Sequence, residues 1–513
     1  MKPGKELIFL PLGGSGEIGM NVNLYGCNGK WIMVDLGMTF ADPNLPGVEL
    51  VLPDLSFIED RQKDLLGIVL THGHEDHIGA IPYLVGDFDV PLYATPFTAG
   101  LIRKKLIEEG IERDVELNVV ELEGEVDLGP FKCRYVPLAH SIPEGNALLI
   151  ETPYGKIFHT GDWKLDEAPV LGVPSTAEEL TALGDEGILA LVGDSTNVFN
   201  PEASGSETGV REGLDKVIAG HKGRVLVTTF ASNAARLHTL GEVAKDTGRR
   251  ICVVGRSLDR ILEVSRSVGY LTDFPPTVSQ VEAMTLDLVV YSSKQIPGNE
   301  IAIGRVQNAL AAAGVEIITD RQAHVHVSGH PGIPELEAMY GWIRPQISIP
   351  VHGERRHMEE HARLARRVGV PEAVVPVNGS AIRLAPGKPQ IVSHEPVGRL
   401  VLDGDVILPA DGATMLARRR MMHNGLIAVF VVLDGKGRLL APPQVQSHGV
   451  PVEDDRDEFI DDCVSAASEA AAKARGSNED ALAEAIRVAV RRKAREWTGK
   501  KPITEVTVTR IKS

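Results

Sequence analysis

Apolar residues along this chain gather in short runs broken by glycine, proline and polar turns, and the runs alternate with helix-like stretches. Strands are predicted at Glu6 to Pro11, Lys30 to Leu36, Gly67 to Leu70, Phe131 to Pro137, Ala147 to Thr152 and Ile188 to Val192, an α/β pattern. A second run opens near Ser206, where Gly223 to Phe230 and Arg250 to Val254 each precede a polar turn and a helical pattern. This reads as a parallel-sheet module inserted in the first. After Gly341 come a strand at Gln346 to Val351, a helix through Glu354 to Arg367, and Gly- and Pro-rich strand pairs out to about Gln446. The acidic stretch Glu453 to Asp462 is read as a boundary, a solvated linker or helix face rather than a binding tail. An Ala-rich segment, a helix from about Asn478 to Trp497 and a strand at Ile503 to Ile511 then form a small terminal α+β unit.

Gly14-Ser15-Gly16-Glu17-Ile18-Gly19 follows the first strand and matches G-x-G-x-x-G, with Asp35 where a ribose-binding acid would sit. A nicotinamide-dependent oxidoreductase is the rival this raises. That fingerprint needs a helix after its last glycine, whereas Asn21-Val22-Asn23-Leu24-Tyr25 alternates as a strand and Asn28-Gly29 signals a hairpin. The unit reads β-β, which argues against dinucleotide binding.

The 513 residues, 43% hydrophobic and 24% charged, describe an ordinary soluble protein of about three domains. Met1 to Lys5 lead straight into a strand and no apolar run reaches bilayer length, so a cytoplasmic protein with neither signal peptide nor membrane span is expected. Cys27, Cys133, Cys252 and Cys463 are scattered, against a disulfide framework or a thiolate zinc site. A formal net charge of -17 does not point to nucleic acid, so a nucleic-acid site would have to be local. Arg103-Lys104-Lys105, Arg355-Arg356, Arg418-Arg419-Arg420 and Arg491-Arg492-Lys493 could line one, though each alone reads as a solvated face.

The chemistry concentrates in Thr71-His72-Gly73-His74-Glu75-Asp76-His77, directly after the apolar run Leu65 to Leu70. Residues two apart in an extended segment face the same way, so His72 and His74 can close on one ion while Asp76 and His77 turn toward a second. Imidazole and carboxylate without thiolate suit zinc or manganese. Ile78 stands where an H-E-x-x-H helix would need its second histidine. Further donors are expected at strand ends: His140, Asp162 and His352. A carboxylate such as Asp162 can bridge two cations, which supplies a nucleophile at neutral pH, and Asp35 is placed to orient a ligand histidine from behind. Ser232 and Asn233 leave a strand and open a helix, a position that favours phosphate and equally suits a plain N-cap. His357 and His361, one helical turn apart, read as an exposed helix surface rather than a metal pair.

The chain resembles the ribonuclease J family, of the β-CASP branch of the metallo-β-lactamase superfamily. The likeness is carried by Pro11 to Asn21, Val34-Asp35-Leu36-Gly37, the His72 cluster, Leu138-Ala139-His140-Ser141-Ile142-Pro143 and His159-Thr160-Gly161-Asp162. It continues through Gly193-Asp194-Ser195-Thr196-Asn197, Thr229-Phe230-Ala231-Ser232-Asn233, Ile296-Pro297-Gly298-Asn299-Glu300, His326-Val327-Ser328-Gly329-His330 and Pro350-Val351-His352-Gly353-Glu354, nearly the whole length.

The resemblance implies a metallo-β-lactamase αββα sandwich with an inserted β-CASP α/β module and a small C-terminal α+β domain. The parts would be 1–205 and 346–448 for the metallo-β-lactamase domain, 206–345 for the β-CASP domain, and 449–513 for the linker and terminal domain. His72, His74 and His140 would hold one Zn2+, Asp76, His77 and His352 the other, and Asp162 would bridge, with Mn2+ or Mg2+ allowed as activating metals. Asp194 and His330 would assist proton transfer to the leaving oxygen. Ser232 and Asn233 with His326, Ser328 and Gly329 would hold an RNA 5′-monophosphate. The implied enzyme is a zinc-dependent ribonuclease acting on single-stranded RNA, 5′-to-3′ with endonucleolytic cuts as a second mode. It would serve mRNA decay and rRNA processing as a homodimer or homotetramer.

In one place the chain departs from the family pattern. A stretch containing Gly-Ser-Gln-Gly-Glu-Pro, usual before Ile296-Pro297-Gly298, is absent between Gln280 and Val281. We expect residues lost from the numbered chain there rather than a deletion, since a packed module deprived of a strand and helix should unfold. Two other readings compete. A small-molecule hydrolase of the same superfamily, a lactonase or thioesterase, would lack the inserted module and a ligand like His352. An RNA-binding scaffold with structural metals would not need an open two-metal geometry.

Overall fold

Leu7-Ile8-Phe9-Leu10-Pro11-Leu12-Gly13 is buried on both faces, which only a strand inside a layered sandwich achieves. The computed structural model describes residues 4–173, 176–279, 287–295 and 299–511; the junction at Gln280 and Val281 and the Ile296-Pro297-Gly298 motif lie outside them. The strand just quoted is β1 (Leu7–Gly13). It sits in an eight-stranded sheet with β2 (Val22–Cys27), β3 (Lys30–Val34), β4 (Leu65–Val69), β5 (Leu92–Ala94) and β6 (Leu117–Val119). A seven-stranded sheet contains β7 (Glu125–Leu128), β8 (Phe131–Pro137), β9 (Asn146–Thr152), β10 (Gly155–His159) and β11 (Ile188–Asp194). β2 and β3 form an antiparallel hairpin turned at Asn28 and Gly29, both at positive φ, so the glycine-rich stretch opens a β-β unit and no dinucleotide fold forms.

The chain then builds an insert of three parallel strands, β12 (Val225–Thr228), β13 (Leu288–Tyr291) and β14 (Glu316–Ile318). Helices α1 (Glu207–Gly220) and α2 (Ala234–Asp246) bring Val210, Leu214, Ile218 and Val243 against Leu288, Val290, Val325 and Val327. The strand expected at Arg250 to Val254 is a single bridge, Ile251 to Thr277. After helix α3 (Ile333–Ile343), β15 (Ile347–Val351) returns to the seven-stranded sheet between β11 and β16 (Glu372–Ala373). β17 (Ser380–Ala385) and β18 (Gln390–His394) complete the eight-stranded sheet in the order β18-β17-β1-β2-β3-β4-β5-β6. Leu7, Phe9, Tyr25, Val34 and Val69 from one sheet meet Cys133, Tyr135, Ile150, Val192 and Ile349 from the other. Helix α4 (Arg355–Arg367) and α3 cover the outer face of the seven-stranded sheet.

Both segments that join insert to sandwich are held by buried carboxylates. Glu335 accepts from the N–H groups of Leu165 (3.0 Å), Ser204 (2.9 Å) and Gly332 (2.7 Å), and from Ser204 Oγ (2.6 Å). Asp166 accepts from Ser206 Oγ at 2.8 Å and Glu207 N–H at 3.2 Å. An unmade hydrogen bond at a buried carboxylate is costly, so these segments are fixed to the loop that follows Asp162.

The described chain falls into two units, Met1–Thr39 with Leu52–Gly398, and Phe40–Val51 with Arg399–Ser513. The segment 346–448 therefore divides between them at Gly398. In the second unit, β19 (Leu426–Asp434) pairs with β20 (Gln444–His448) antiparallel and with β21 (Ile503–Ile511) parallel. Where only strand pairs were expected, Ala413–Asn424 is helix α5, as its Ala, Leu, Met and Arg content favours. The acidic stretch lies inside this unit, and its reading as a solvated helix face holds. It carries the first turns of α6 (Arg456–Lys473), which with α7 (Glu479–Thr498) packs Phe459, Cys463, Ile486 and Val490 on Ile427, Val429, Val431 and Leu433. Among the described residues no helix is long and apolar enough to cross a membrane, and the four cysteines are free.

Candidate active site

Strands β8, β10, β11 and β15 run the same way, because β9 is antiparallel to β8 and β10, while β10, β11 and β15 are mutually parallel. Their carboxyl ends share one edge, where ligand sites form in open α/β sheets. His140, Asp162, Asp194 and His352 leave those ends, and the His72 loop leaves β4 in the facing sheet. Gly37 makes room for that loop: a Cβ there would lie 1.8 Å from the carbonyl oxygen of Asp76.

Two donor groups result, His72, His74, His140 and Asp162, and Asp76, His77, Asp162 and His352. Donors about 2.1 Å from one tetrahedral cation sit roughly 3.4 Å apart. In the first group His74 Nδ1 is 3.1 Å from both His72 Nε2 and His140 Nε2. In the second, Asp162 Oδ2 is 3.3 Å from His77 Nε2 and 3.4 Å from His352 Nε2, and Asp76 Oδ2 is 3.8 and 3.7 Å from those nitrogens. The fit to cations has a second sign: Asp162 is buried, yet its Oδ1 finds no hydrogen-bond partner among the described residues. The residues are compatible with a dinuclear metal site.

The rings are oriented from behind. His77 Nδ1 lies 2.7 Å from Asp35 Oδ2, His140 Nδ1 2.6 Å from the Gly329 carbonyl, His72 Nδ1 3.0 Å from Thr71 Oγ1, and His352 Nδ1 3.1 Å from Asn21 Oδ1. Asp35 and His352 themselves sit at φ of 65° and 50°, left-handed backbone that costs on the order of 1 kcal/mol each and persists where the surroundings demand it. Asp35→Asn should weaken metal binding about 10- to 100-fold, read by competition with a chelator; unchanged affinity would show that His77 needs no such partner.

Burial holds His72 and His140 well below the ordinary imidazole range and brings His74 down to about 4, so these rings are neutral donors. At His77 burial opposes the charged form, but Asp162, Asp35 and Asp76 raise it well above the usual value, and Asp162 also raises His352. Asp162 loses by burial, yet His352, His77 and His330 hold its carboxyl well below the carboxylate range.

His330 Nδ1 is 2.7 Å from Asp194 Oδ2 and 3.8 Å from Asp162 Oδ2. Its side chain keeps 24% of its surface exposed, so the ring can reach a substrate. Burial pulls its proton affinity down, but Asp194 and Asp162 push it up to about 9. Asp194, His330, Asp162 and His352 come within one cluster; the resemblance implies a role for Asp194 and His330, and the residues themselves do not point to either.

The residues expected around a 5′-phosphate divide. Asn233 Oδ1 accepts the Arg236 N–H at 2.7 Å, the plain N-cap of α2. Ser328 Oγ accepts the His330 N–H at 3.0 Å, and the Gly329 carbonyl serves His140. His326 is pushed down to about 3 by burial and by Arg236, Lys294 and Lys164. The basic clusters are largely paired: Lys105 with Glu75, Lys104 with Glu263, Arg355 with Glu359 and Lys493 with Glu496.

Sequence reasoning missed Asn21 and Thr71, and it misplaced His357 and His361, which are buried. His361 Nδ1 lies 2.9 Å from Ser195 Oγ and its Nε2 2.8 Å from Tyr340 OH. Their position beside Met358, Ala362 and Ala365 on one stripe of α4 was the signal available. Burial brings His361 from 6.5 down to about 4. The unfolded chain then takes up a proton that the folded one refuses, so stability is intact above about pH 6.5 and falls toward pH 4 by up to about 1.4 kcal/mol per pH unit. Urea unfolding of wild type should weaken more steeply over this window than that of His361→Gln; parallel slopes would exclude this ring as the cause.

Comparison with known proteins places these features. Family models match residues 18–194 (metallo-beta-lactamase superfamily), 222–285 (ribonuclease J, beta-CASP domain), 314–376 (Zn-dependent metallo-hydrolase RNA specificity domain) and 414–511 (ribonuclease J C-terminal domain). A ribonuclease J from Sinorhizobium meliloti is 40% identical, covering 100% of this chain and 98% of its own. One from Mycolicibacterium smegmatis is 35% identical over 98% of this chain and 96% of its own. The first alignment spans 555 positions against 513 residues here, so that relative carries stretches without counterpart in this chain. A crystal structure of a protein of unknown function from Enterococcus faecalis V583 shares the fold, with a TM-score of 0.55 at 18% identity over 74% of this chain and 100% of that one.

Proposed function

The chain belongs to the ribonuclease J family and is a metal-dependent ribonuclease, and from that premise we propose that it degrades single-stranded RNA from the 5′ end. It prefers a 5′-monophosphate, makes internal cuts as a second mode, and serves RNA decay and rRNA maturation. The observation that carries the reading is the pair of donor groups sharing Asp162, with the His330–Asp194 pair beside them.

His72, His74, His140 and Asp162 would hold one cation, and Asp76, His77, His352 and Asp162 the other. Zinc suits these donors, with Mn2+ or Mg2+ as activating alternatives. When bound, two cations would supply a hydroxide at neutral pH and neutralise charge on the phosphodiester. Asp162 would contribute its carboxylate to both. Asp194 occupies His330 Nδ1 and so turns Nε2 toward the leaving oxygen, to which the imidazolium gives its proton. Ser232 and Asn233 at the start of α2, with His326, Ser328 and Gly329, receive the 5′-phosphate. The enzyme works in the cytoplasm as a homodimer or homotetramer.

The test is one end-labelled single-stranded RNA carrying a 5′-monophosphate, 5′-triphosphate or 5′-hydroxyl, treated with wild type and with His77→Ala. Mononucleotide release that favours the monophosphate and vanishes in the variant is expected. Discrete internal fragments insensitive to the 5′ group would make it chiefly an endonuclease.

A further inference from the structure

We propose that Arg236 is a positioning residue for the 5′-end pocket, setting its two halves at a fixed reach from the metal donors without touching RNA. The inference rests on the reading that Ser232, Asn233, His326, Ser328 and Gly329 receive a 5′-phosphate.

An arginine beside a phosphate pocket is ordinarily a phosphate ligand. Here the guanidinium is fully buried and each of its three nitrogens has a partner inside the protein. Nε donates to Glu207 Oε2 at 3.2 Å and Nη2 to Glu207 Oε1 and Oε2 at 3.1 and 3.0 Å. Nη1 donates to the carbonyls of Ser292 (2.8 Å) and Val325 (2.9 Å) and to Ser292 Oγ. Ser292 Oγ in turn donates to the Val325 carbonyl at 2.6 Å. The charge is thus neutralised by Glu207 and the group is closed off from any ligand by burial.

What the guanidinium holds is informative. Val325 immediately precedes His326, so one half of the pocket hangs from it. The Arg236 backbone N–H, capped by Asn233 Oδ1 at 2.7 Å, belongs to the helix start that forms the other half. A single side chain therefore ties together loop 326–329 and the N-terminus of α2.

The chain of bonds continues to the metal donors. Glu207, the partner of Arg236, gives its N–H to Asp166 at 3.2 Å. Asp166 pairs with the buried Lys164 at 3.1 Å, and Lys164 Nζ donates to the Gly205 carbonyl at 3.0 Å. The backbone N–H of Lys164 bonds the carbonyl of Ala139 at 2.8 Å, next to His140. From the Asp162 and His140 strand ends to Val325, each link is a buried polar contact between groups with few alternative partners. Such a path fixes where the first nucleotide ends and the scissile phosphate begins.

The experiment compares Ser292→Ala, Arg236→Lys and the double variant Arg236→Met with Glu207→Leu. A lysine keeps the charge and cannot reproduce the planar set of bonds; apolar replacement of a whole buried pair tends to preserve the fold. For each, kcat and KM are measured on RNA with a 5′-monophosphate or 5′-hydroxyl, and on bis(p-nitrophenyl) phosphate, which has no end to hold. The expected result is a loss of monophosphate preference by roughly 10- to 100-fold, with small-diester hydrolysis within about twofold of wild type. Preference retained in a folded variant, judged by melting temperature, overturns the proposal. So does a parallel fall on all three substrates, which marks a general packing role. Wild type indifferent to the 5′ group would instead remove the pocket reading itself.

Discussion

Asp162→Asn is expected to abolish RNA cleavage, lowering kcat by roughly a thousandfold or more, and to leave the purified protein short of its full metal content. The side chain is buried and its Oδ2 faces His77, His352 and His72 at 3.3, 3.4 and 3.9 Å. Asparagine keeps the volume, so no cavity opens and the sandwich should still fold. It removes the negative charge that both donor groups share, and its amide nitrogen would point N–H groups at imidazole nitrogens or at a cation. Metal analysis after gel filtration, alongside cleavage of end-labelled RNA, reads both effects. A variant that binds two ions and cuts at the wild-type rate would sink the bridging role of Asp162.

His330→Ala should lower kcat on RNA by about 10²- to 10⁴-fold, the range of a single general acid, with little change in KM. The leaving group decides the test. An RNA oxygen departs poorly without a proton, whereas p-nitrophenolate leaves unaided, so hydrolysis of bis(p-nitrophenyl) phosphate should fall far less. Asp194→Asn should reproduce the pattern more weakly, because it unsettles the ring whose Nδ1 it holds at 2.7 Å without removing the acid. Equal losses on both substrates would move His330 from proton donor to substrate binder.

The parts legible in the sequence are those whose chemistry is local. His72, His74, Asp76 and His77 lie within one loop, so ligand spacing appears directly, and the Asn28-Gly29 hairpin excluded a dinucleotide fold from two residues. His140, Asp162 and His352 could be suggested because each follows an apolar run. Asp194 and His330 came from resemblance alone, since 136 positions separate partners that touch. The buried polar contacts were invisible for the same reason. Nothing local announces that Glu335 will meet Ser204, or that Arg236 will spend its donors on Glu207 and Val325. His361 was misread because charged neighbours on α4 hid the stripe it shares with Met358 and Ala362, and its fate depends on Ser195, 166 positions away. The acidic stretch was legible only in part because composition marks solvent exposure, and α6 is exposed along one side while its other side closes a core.

The late return of β15 has a consequence for biosynthesis. His352 can take its place only after Ile347–Val351 pairs beside β11, and a ribosome adding about 5–20 residues per second needs tens of seconds to travel from His72 to His352. Once Asp162 has been added, the nascent chain carries every donor of both groups except His352. A nuclease tethered to the messenger that encodes it is thus kept incomplete, by topology, until the ribosome has passed the codon for His352.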